Sequence, residues 1–229
     1  MRSPMPLANR LSCRIIRGLV RRLCRVRVNE IPQLPLQGPA ILASNHSSNF
    51  EALIYYAYLE PRLRTALGKT ELWGNPFTRF LMQIWSIIPV RRGGADRTAF
   101  ERALRDLNRG AYLGLAPEGT RSKTGVLQRG RPGVAMLASQ ARIPIYPLVC
   151  VDAHKIAETV LKGRRPEISI RVGKPFVLQL PEGSSRTSRD LRVATDEIMA
   201  RIAQLMPHEL RGRYAAADPD TARFLQPWP

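Results

Sequence analysis

A chain of 229 residues with 44% hydrophobic content can bury one sizeable core, which excludes a wholly disordered protein and an array of independent modules. Its 36 Lys and Arg against 18 Asp and Glu leave +18, a balance that calls for a polyanionic neighbour: nucleic acid, an anionic membrane surface or phosphorylated substrates. No run approaches the ~20 continuous apolar residues that cross a bilayer, and the arginines between Leu11 and Val28 break every candidate, so a spanning helix and a signal-peptide core are both disfavoured.

From Pro6 to Val28, Leu11, Ile15, Leu19 and Leu23 fall at helical spacing with Ile16 and Val20 beside them and arginines around. That pattern predicts a basic amphipathic helix, suited either to an anionic lipid interface or to packing on its own domain. A Pro- and Gln-rich linker runs from Ile31 to Pro39. Short apolar runs then alternate with amphipathic helices, the signature of an α/β layer structure. Ala40 to Ala43 reads as a buried strand, the segment after Asn49 as a helix, Leu63 to Leu67 as a strand, Phe77 to Trp85 as a helix and Ile87 to Val90 as a strand. Phe100, Ala103, Leu104 and Leu107 mark a helix stopped at Gly110. Tyr112 to Ala116 is a strand, Pro117 to Gly130 a long polar loop, Val134 to Ala141 a helix and Ile143 to Val151 the strongest strand. Glu167 to Val172 alternates like an edge strand, and Leu191, Ala194, Ile198, Ile202 and Leu205 mark a long C-terminal helix. The tail from about Ala215 reads as irregular. Cys13, Cys24 and Cys150 have no metal-ligand or CxxC spacing and read as thiols of a reducing compartment.

Two polar segments stand where a strand ends. In Asn45-His46-Ser47-Ser48-Asn49-Phe50-Glu51, a histidine leaves a buried strand and a carboxylate follows within the first turn of a helix. Such a pair meets through imidazole Nδ1 and leaves Nε2 to take a proton from an alcohol. By itself this H-x4-E spacing is equally a capping carboxylate beside an unrelated histidine. The second segment, Ala116-Pro117-Glu118-Gly119-Thr120-Arg121-Ser122, is too polar for core.

With Val90-Arg91 and Ile143-Pro144-Ile145-Tyr146-Pro147, these segments form four ordered blocks in which the chain resembles the PlsC-type glycerophospholipid acyltransferase family, typified by 1-acylglycerol-3-phosphate acyltransferase. The resemblance covers roughly residues 38 to 213, including Val172-Gly173-Lys174-Pro175. It implies a single-domain α/β sandwich with a mostly parallel central sheet flanked by helices, here with the N-terminal basic helix added. It further implies that His46 is the general base, Glu51 its orienting carboxylate, and Arg91 and Arg121 the ligands of an acceptor phosphate. Guanidinium forks suit that phosphate role. Glu118, Gly119 and Thr120 would line the same acceptor site. The family usually carries Asp where this chain has Glu51; because both acids orient imidazole, the two are expected to be interchangeable here.

The implied reaction is direct attack by the hydroxyl of a lysophospholipid on acyl-CoA or acyl-ACP, with no metal and no cofactor beyond the acyl carrier. The expected division is a membrane-docking segment over 1–28, a catalytic domain over 29–214 and an irregular tail over 215–229, acting peripherally on the cytoplasmic face of a membrane. Two other readings remain at this point. A nucleic-acid-binding protein would suit the charge, but no reader motif is present and aromatics are only 7% of the chain, too few for a stacking platform, so no nucleic acid is expected. A hydrolase using the same histidine would release free acid without an acceptor.

Overall fold

The computed structural model describes residues 7–28, 30–31, 34–36, 38–60, 63–91, 96–181 and 187–228. Its nine-stranded sheet is built on β2 (Ala40–Ser44), which pairs in parallel with β5 (Tyr112–Leu115) on one side and β6 (Ile145–Val151) on the other. Beyond β5 lie β3 (Leu63–Lys69) and β4 (Ile88–Val90), both parallel, so β2 to β6 all end at one edge of the sheet. Beyond β6 the direction reverses: β7 (Glu167–Val172) is antiparallel to it, and β1 (Arg25–Arg27) runs parallel to β7. β8 (Phe176–Leu178) pairs with the start of β6 and with β9 (Leu225–Pro227).

Alternation along β2 divides the core. Ile41 and Ala43 face a cluster with helices α4 (Arg97–Asn108), α5 (Gly133–Ala141) and α7 (Ser188–Gln204). Ala40 and Leu42 face the opposite cluster, with α1 (Leu7–Leu23), α2 (Phe50–Leu59) and α3 (Pro76–Ile84); the short α6 (Ile156–Leu161) closes that layer beside β7. A strand covered on both faces reads as a near-continuous apolar run, and all five residues of β2 are buried, with only Ser44 at its end polar. Local signals start the helices. Asn75 Oδ1 accepts from Phe77 N at 2.9 Å with Pro76 at the first turn of α3, Asp96 Oδ1 accepts from Ala99 N at 3.1 Å to cap α4, and Thr187 and Asp190 form a reciprocal capping box on α7.

Four expectations are corrected. The first helix stops at Leu23 rather than Val28, because Arg25 to Arg27 join the sheet beside β7. That pairing also makes β7 an interior strand instead of an edge. The linker is anchored in part: Ile31 and Leu34 are buried while Leu36 stays exposed, and Glu30, just before it, accepts from Val172 N at 2.7 Å. The tail is not irregular throughout, since Leu225 to Pro227 form β9 and Phe224 and Leu225 are buried. In each case pairing depends on residues more than 40 positions away, which no local periodicity reveals. All three cysteines are buried free thiols.

Helix α1 is both packed and open. Asn9 Nδ2 donates to Ile84 O at 3.1 Å, Trp85 Nε1 donates to Ser12 Oγ at 3.0 Å, Arg17 donates to Ala57 O, and Cys13 is buried. On its other side Leu7, Leu11, Ile15, Leu19 and Leu23, four residues apart, are all exposed. The helix therefore belongs to the domain while presenting an uncovered apolar stripe.

Candidate active site

The ends of β2 and β5 are neighbours in the sheet, which brings the two polar segments into contact at its C-terminal edge. His46 Nδ1 lies 2.9 Å from Glu51 Oε2. The same carboxylate accepts from Ser47 N at 2.8 and 2.9 Å and from Ser47 Oγ at 2.6 Å, so a charge sequestered at 1% exposure is surrounded by donors. The carboxylate fixes the proton of a neutral ring on Nδ1 and leaves Nε2 as an acceptor. The His46 side chain is 31% exposed against 2% for that of Glu51, so the free edge of the imidazole is the accessible part of the dyad.

The loop after β5 clamps His46 at both backbone atoms. His46 N donates to Glu118 Oε1 at 2.7 Å, and Ser122 N donates to His46 O at 2.8 Å. The other Glu118 oxygen accepts from Gln128 N at 2.9 Å, and Arg131 N donates to Pro117 O at 2.7 Å, which folds residues 117–131 back on themselves. Asn45 Oδ1 accepts from Cys150 N at 3.0 Å, tying the same turn to β6.

The structure brings His46 and Glu51 into contact, and it places Glu118 behind His46. It is 2% exposed, and its carboxylate serves two backbone N–H groups, so it positions His46 from behind. Gly119 has φ +67°, and a Cβ there would meet Arg131 Cδ at 2.6 Å; only glycine permits this turn beneath the Arg131 stem. Thr120 is half-buried and Arg121 exposed on the same loop. Arg91 is exposed at the end of β4, where its backbone N–H donates to Asp96 Oδ2 at 2.9 Å. In the sheet β4 stands three strands from β2, whereas Arg121 lies on the loop after the adjacent β5, next to Ser122, which bonds the backbone of His46. Asn45, Ser47, Ser122, Gln128 and Arg131 had no assigned role from sequence. For Ser47 a signal existed, a hydroxyl four residues before a helix-entry carboxylate; the others act through backbone atoms or across strands. Among the described residues no group of three or more His, Cys, Asp or Glu side chains is arranged to hold a metal ion.

Burial pushes the Glu118 carboxyl up to about 7, with the nearby Glu51 charge adding to the rise and the N–H groups of Gln128 and His46 opposing it. A folded-state value above the unfolded one means that the native protein holds this proton more tightly. Its contribution is therefore fully present below about pH 4.5 and is lost as pH rises toward 7, a swing of roughly 3 kcal/mol. Glu118→Gln removes the titration. The stability of this variant relative to the parent should shift in its favour between pH 5 and 8, as read by denaturant melts at each pH, and a gap independent of pH would refute the assignment.

A family model described as Acyltransferase matches residues 25–151. The chain is 24% identical over 185 residues to 1-acyl-sn-glycerol-3-phosphate acyltransferase LPAT1, chloroplastic, of Arabidopsis thaliana, covering 80% of this chain and 49% of that protein. It is 27% identical over 146 residues to 1-acyl-sn-glycerol-3-phosphate acyltransferase of Pseudomonas aeruginosa, covering 59% of this chain and 54% of that protein. The chain thus spans about half the length of the curated relatives it matches. Among solved structures, the 1-acyl-sn-glycerophosphate (LPA) acyltransferase PlsC from Thermotoga maritima superposes with a TM-score of 0.65 at 20% identity, covering 90% of this chain and 82% of that one, a likeness of fold.

Proposed function

The chain belongs to the Acyltransferase family, and from that premise we propose that it moves a fatty acyl group from acyl-CoA or acyl-ACP to the free hydroxyl of a lysophospholipid, foremost 1-acyl-sn-glycerol 3-phosphate, giving phosphatidic acid. The observation that carries the proposal is the His46–Glu51 contact of 2.9 Å through Nδ1, with the His46 side chain 31% exposed. His46 takes the hydroxyl proton as the oxygen attacks the thioester carbonyl; the C–O bond forms, the C–S bond breaks, and the imidazolium returns its proton to the leaving thiolate. Glu51 stabilises the imidazolium and keeps the ring aligned. Both curated relatives above are named for the 1-acyl-sn-glycerol-3-phosphate acceptor, which supports that choice.

The test offers purified protein acyl-CoA and acyl-ACP with a panel of lysophospholipids and glycerol 3-phosphate, with products resolved by chromatography. Acyl release that does not depend on an acceptor would overturn transfer in favour of hydrolysis. Arginine variants test the acceptor. Removing one charge-assisted phosphate contact costs ~1.5–3 kcal/mol, so Arg121→Ala should lose about 10–100-fold on lysophosphatidic acid relative to its dephosphorylated analogue. Arg91→Ala, farther along the edge, should lose less. If the preference between the two acceptors is unchanged in both variants, neither arginine reads the phosphate.

The acceptor's acyl chain resides in a bilayer, and the protein is proposed to work peripherally at the cytoplasmic face of an anionic membrane. Support comes from the exposed leucine and isoleucine stripe of α1 among its arginines, and from Phe77 and Phe80, exposed on the neighbouring α3. Among the described residues no helix is long and apolar enough to cross a membrane. Converting Leu11, Ile15 and Leu19 to Ser spares the packed side of α1. It should reduce co-sedimentation with anionic vesicles about tenfold or more and leave turnover on a short-chain soluble acceptor; undiminished sedimentation would refute docking through the stripe.

A further inference from the structure

The apolar stripe of α1 ends at Leu23, beside a groove of about 670 Å³ lined by Arg21, Arg22, Leu23, Val160, Arg164 and Arg165. The groove lies at the same edge of the sheet as His46. β1 and β7 both start there, since Arg25 is opposite Glu167 and Ser169 is opposite the last residue of β6. It stands two to three strands from β2 on the side away from Arg91, roughly 10–14 Å along the sheet, and it shares no residue with the dyad or its clamp.

The four guanidiniums are not equivalent. Arg165 donates to Arg21 O and to Cys24 O, so it caps the C-terminal end of α1 and is held in place. The surrounding carboxylates are already committed: Glu60 to Arg17, Glu167 to Arg27 and Glu158 to Lys162. Among the described residues none pairs with the guanidinium of Arg21, Arg22 or Arg164. Arg21 and Arg22 stand in the last turn of α1, where cations offset the helix dipole, but that role sets only their place along the helix and does not account for Arg164 converging on the same concavity from another segment. Apolar side chains rim the same place: Leu23 is 43% exposed and Leu161 is 87% exposed. Unpaired guanidinium forks in a groove, with uncovered leucines at its margin and a continuous apolar helix face leading into it, match a phosphate at the boundary between water and hydrocarbon.

We propose that this groove binds the phosphate of an anionic bilayer phospholipid, a site distinct from the acceptor site, so that α1 supplies insertion and the groove supplies headgroup selectivity. The inference rests on the membrane-surface reading of α1 and fixes which end of that helix meets the headgroups. It also turns the catalytic edge of the sheet toward the same surface.

The test compares full-length protein on vesicles of phosphatidylcholine alone and of phosphatidylcholine with phosphatidylglycerol. Arg22→Gln with Arg164→Gln should weaken binding to the mixed vesicles roughly tenfold or more and barely change binding to the neutral ones. Arg102→Gln with Arg105→Gln removes the same charge from exposed positions of α4 across the sheet. It should leave binding close to that of the parent, because screening confines such effects to about 8 Å at physiological salt. Equal losses in the two double variants would overturn the site in favour of diffuse attraction. If the parent protein binds no vesicle, the docking role of α1 fails on its own, and the groove is judged by titration with monomeric dihexanoyl phosphatidylglycerol. Saturable binding abolished in Arg22→Gln with Arg164→Gln supports it, and binding unaffected or absent overturns it. Displacement of that lipid by equimolar inorganic phosphate or coenzyme A would likewise overturn the headgroup assignment.

Discussion

His46→Ala is expected to lower turnover by about 10²–10⁴-fold, the range that a positioned general base supplies. The loss should be chemical and not structural. Both backbone ties of residue 46, its N–H to Glu118 and its carbonyl to Ser122 N, survive the change, and Glu51 retains its bonds from Ser47. Thiol release from acyl-CoA with a saturating acceptor measures the rate, and circular dichroism melts check the fold. Turnover near that of the parent would remove His46 from the mechanism.

Glu51 carries the second large effect. In Glu51→Gln the amide nitrogen faces donors: Ser47 N, Ser47 Oγ and His46 Nδ1 all approach the present carboxylate within 3 Å. Leaving one buried donor unsatisfied costs about 1–3 kcal/mol of stability, and the imidazolium of the transition state loses its counter-charge, so turnover should fall at least as far as roughly 100-fold. Glu51→Asp separates geometry from charge. The sequence suggests that Asp, usual in the family, would serve equally well. In this chain, however, the glutamate already reaches Nδ1 at 2.9 Å, and shortening it by one methylene withdraws the carboxylate by about 1.5 Å. A misplacement of that size can cost about 10²-fold, so Asp should also impair the enzyme while keeping the buried charge. Full activity in the Asp variant would show that the turn adapts and that glutamate is not built into this backbone.

The His46–Glu51 pair was legible because both partners sit within one strand-to-helix turn that the four motif blocks single out, where spacing permits contact. The helices of the second half were legible for a similar reason: Phe100, Ala103, Leu104 and Leu107, and the series from Leu191 to Leu205, record their packing in a local period. Glu118 shows the limit. Its place after a strand marked it as part of the site, but whether its carboxylate faced a substrate or the backbone of His46 depended on how a loop 72 residues away folds over that turn.

The sequence by itself determined the α/β class, from elements alternating along the chain, and the four short motif blocks in their order; the resemblance those blocks carry, rather than the H-x4-E spacing, implied the dyad. It also determined the apolar row of α1, although not whether that row was buried. The tertiary structure alone decided that α1 packs through Asn9, Cys13 and Arg17 while Leu7, Leu11, Ile15, Leu19 and Leu23 stay uncovered, and that Arg121 follows the strand next to β2 whereas Arg91 ends a strand three places away. It alone gathered Arg21, Arg22, Arg164 and Arg165 into one groove from segments some 140 residues apart. The physical reason is strand order. Periodicity specifies which face of an element seeks cover, whereas the neighbours that provide it follow from the pairing of strands distant in the chain, and that pairing is a property of the whole sheet.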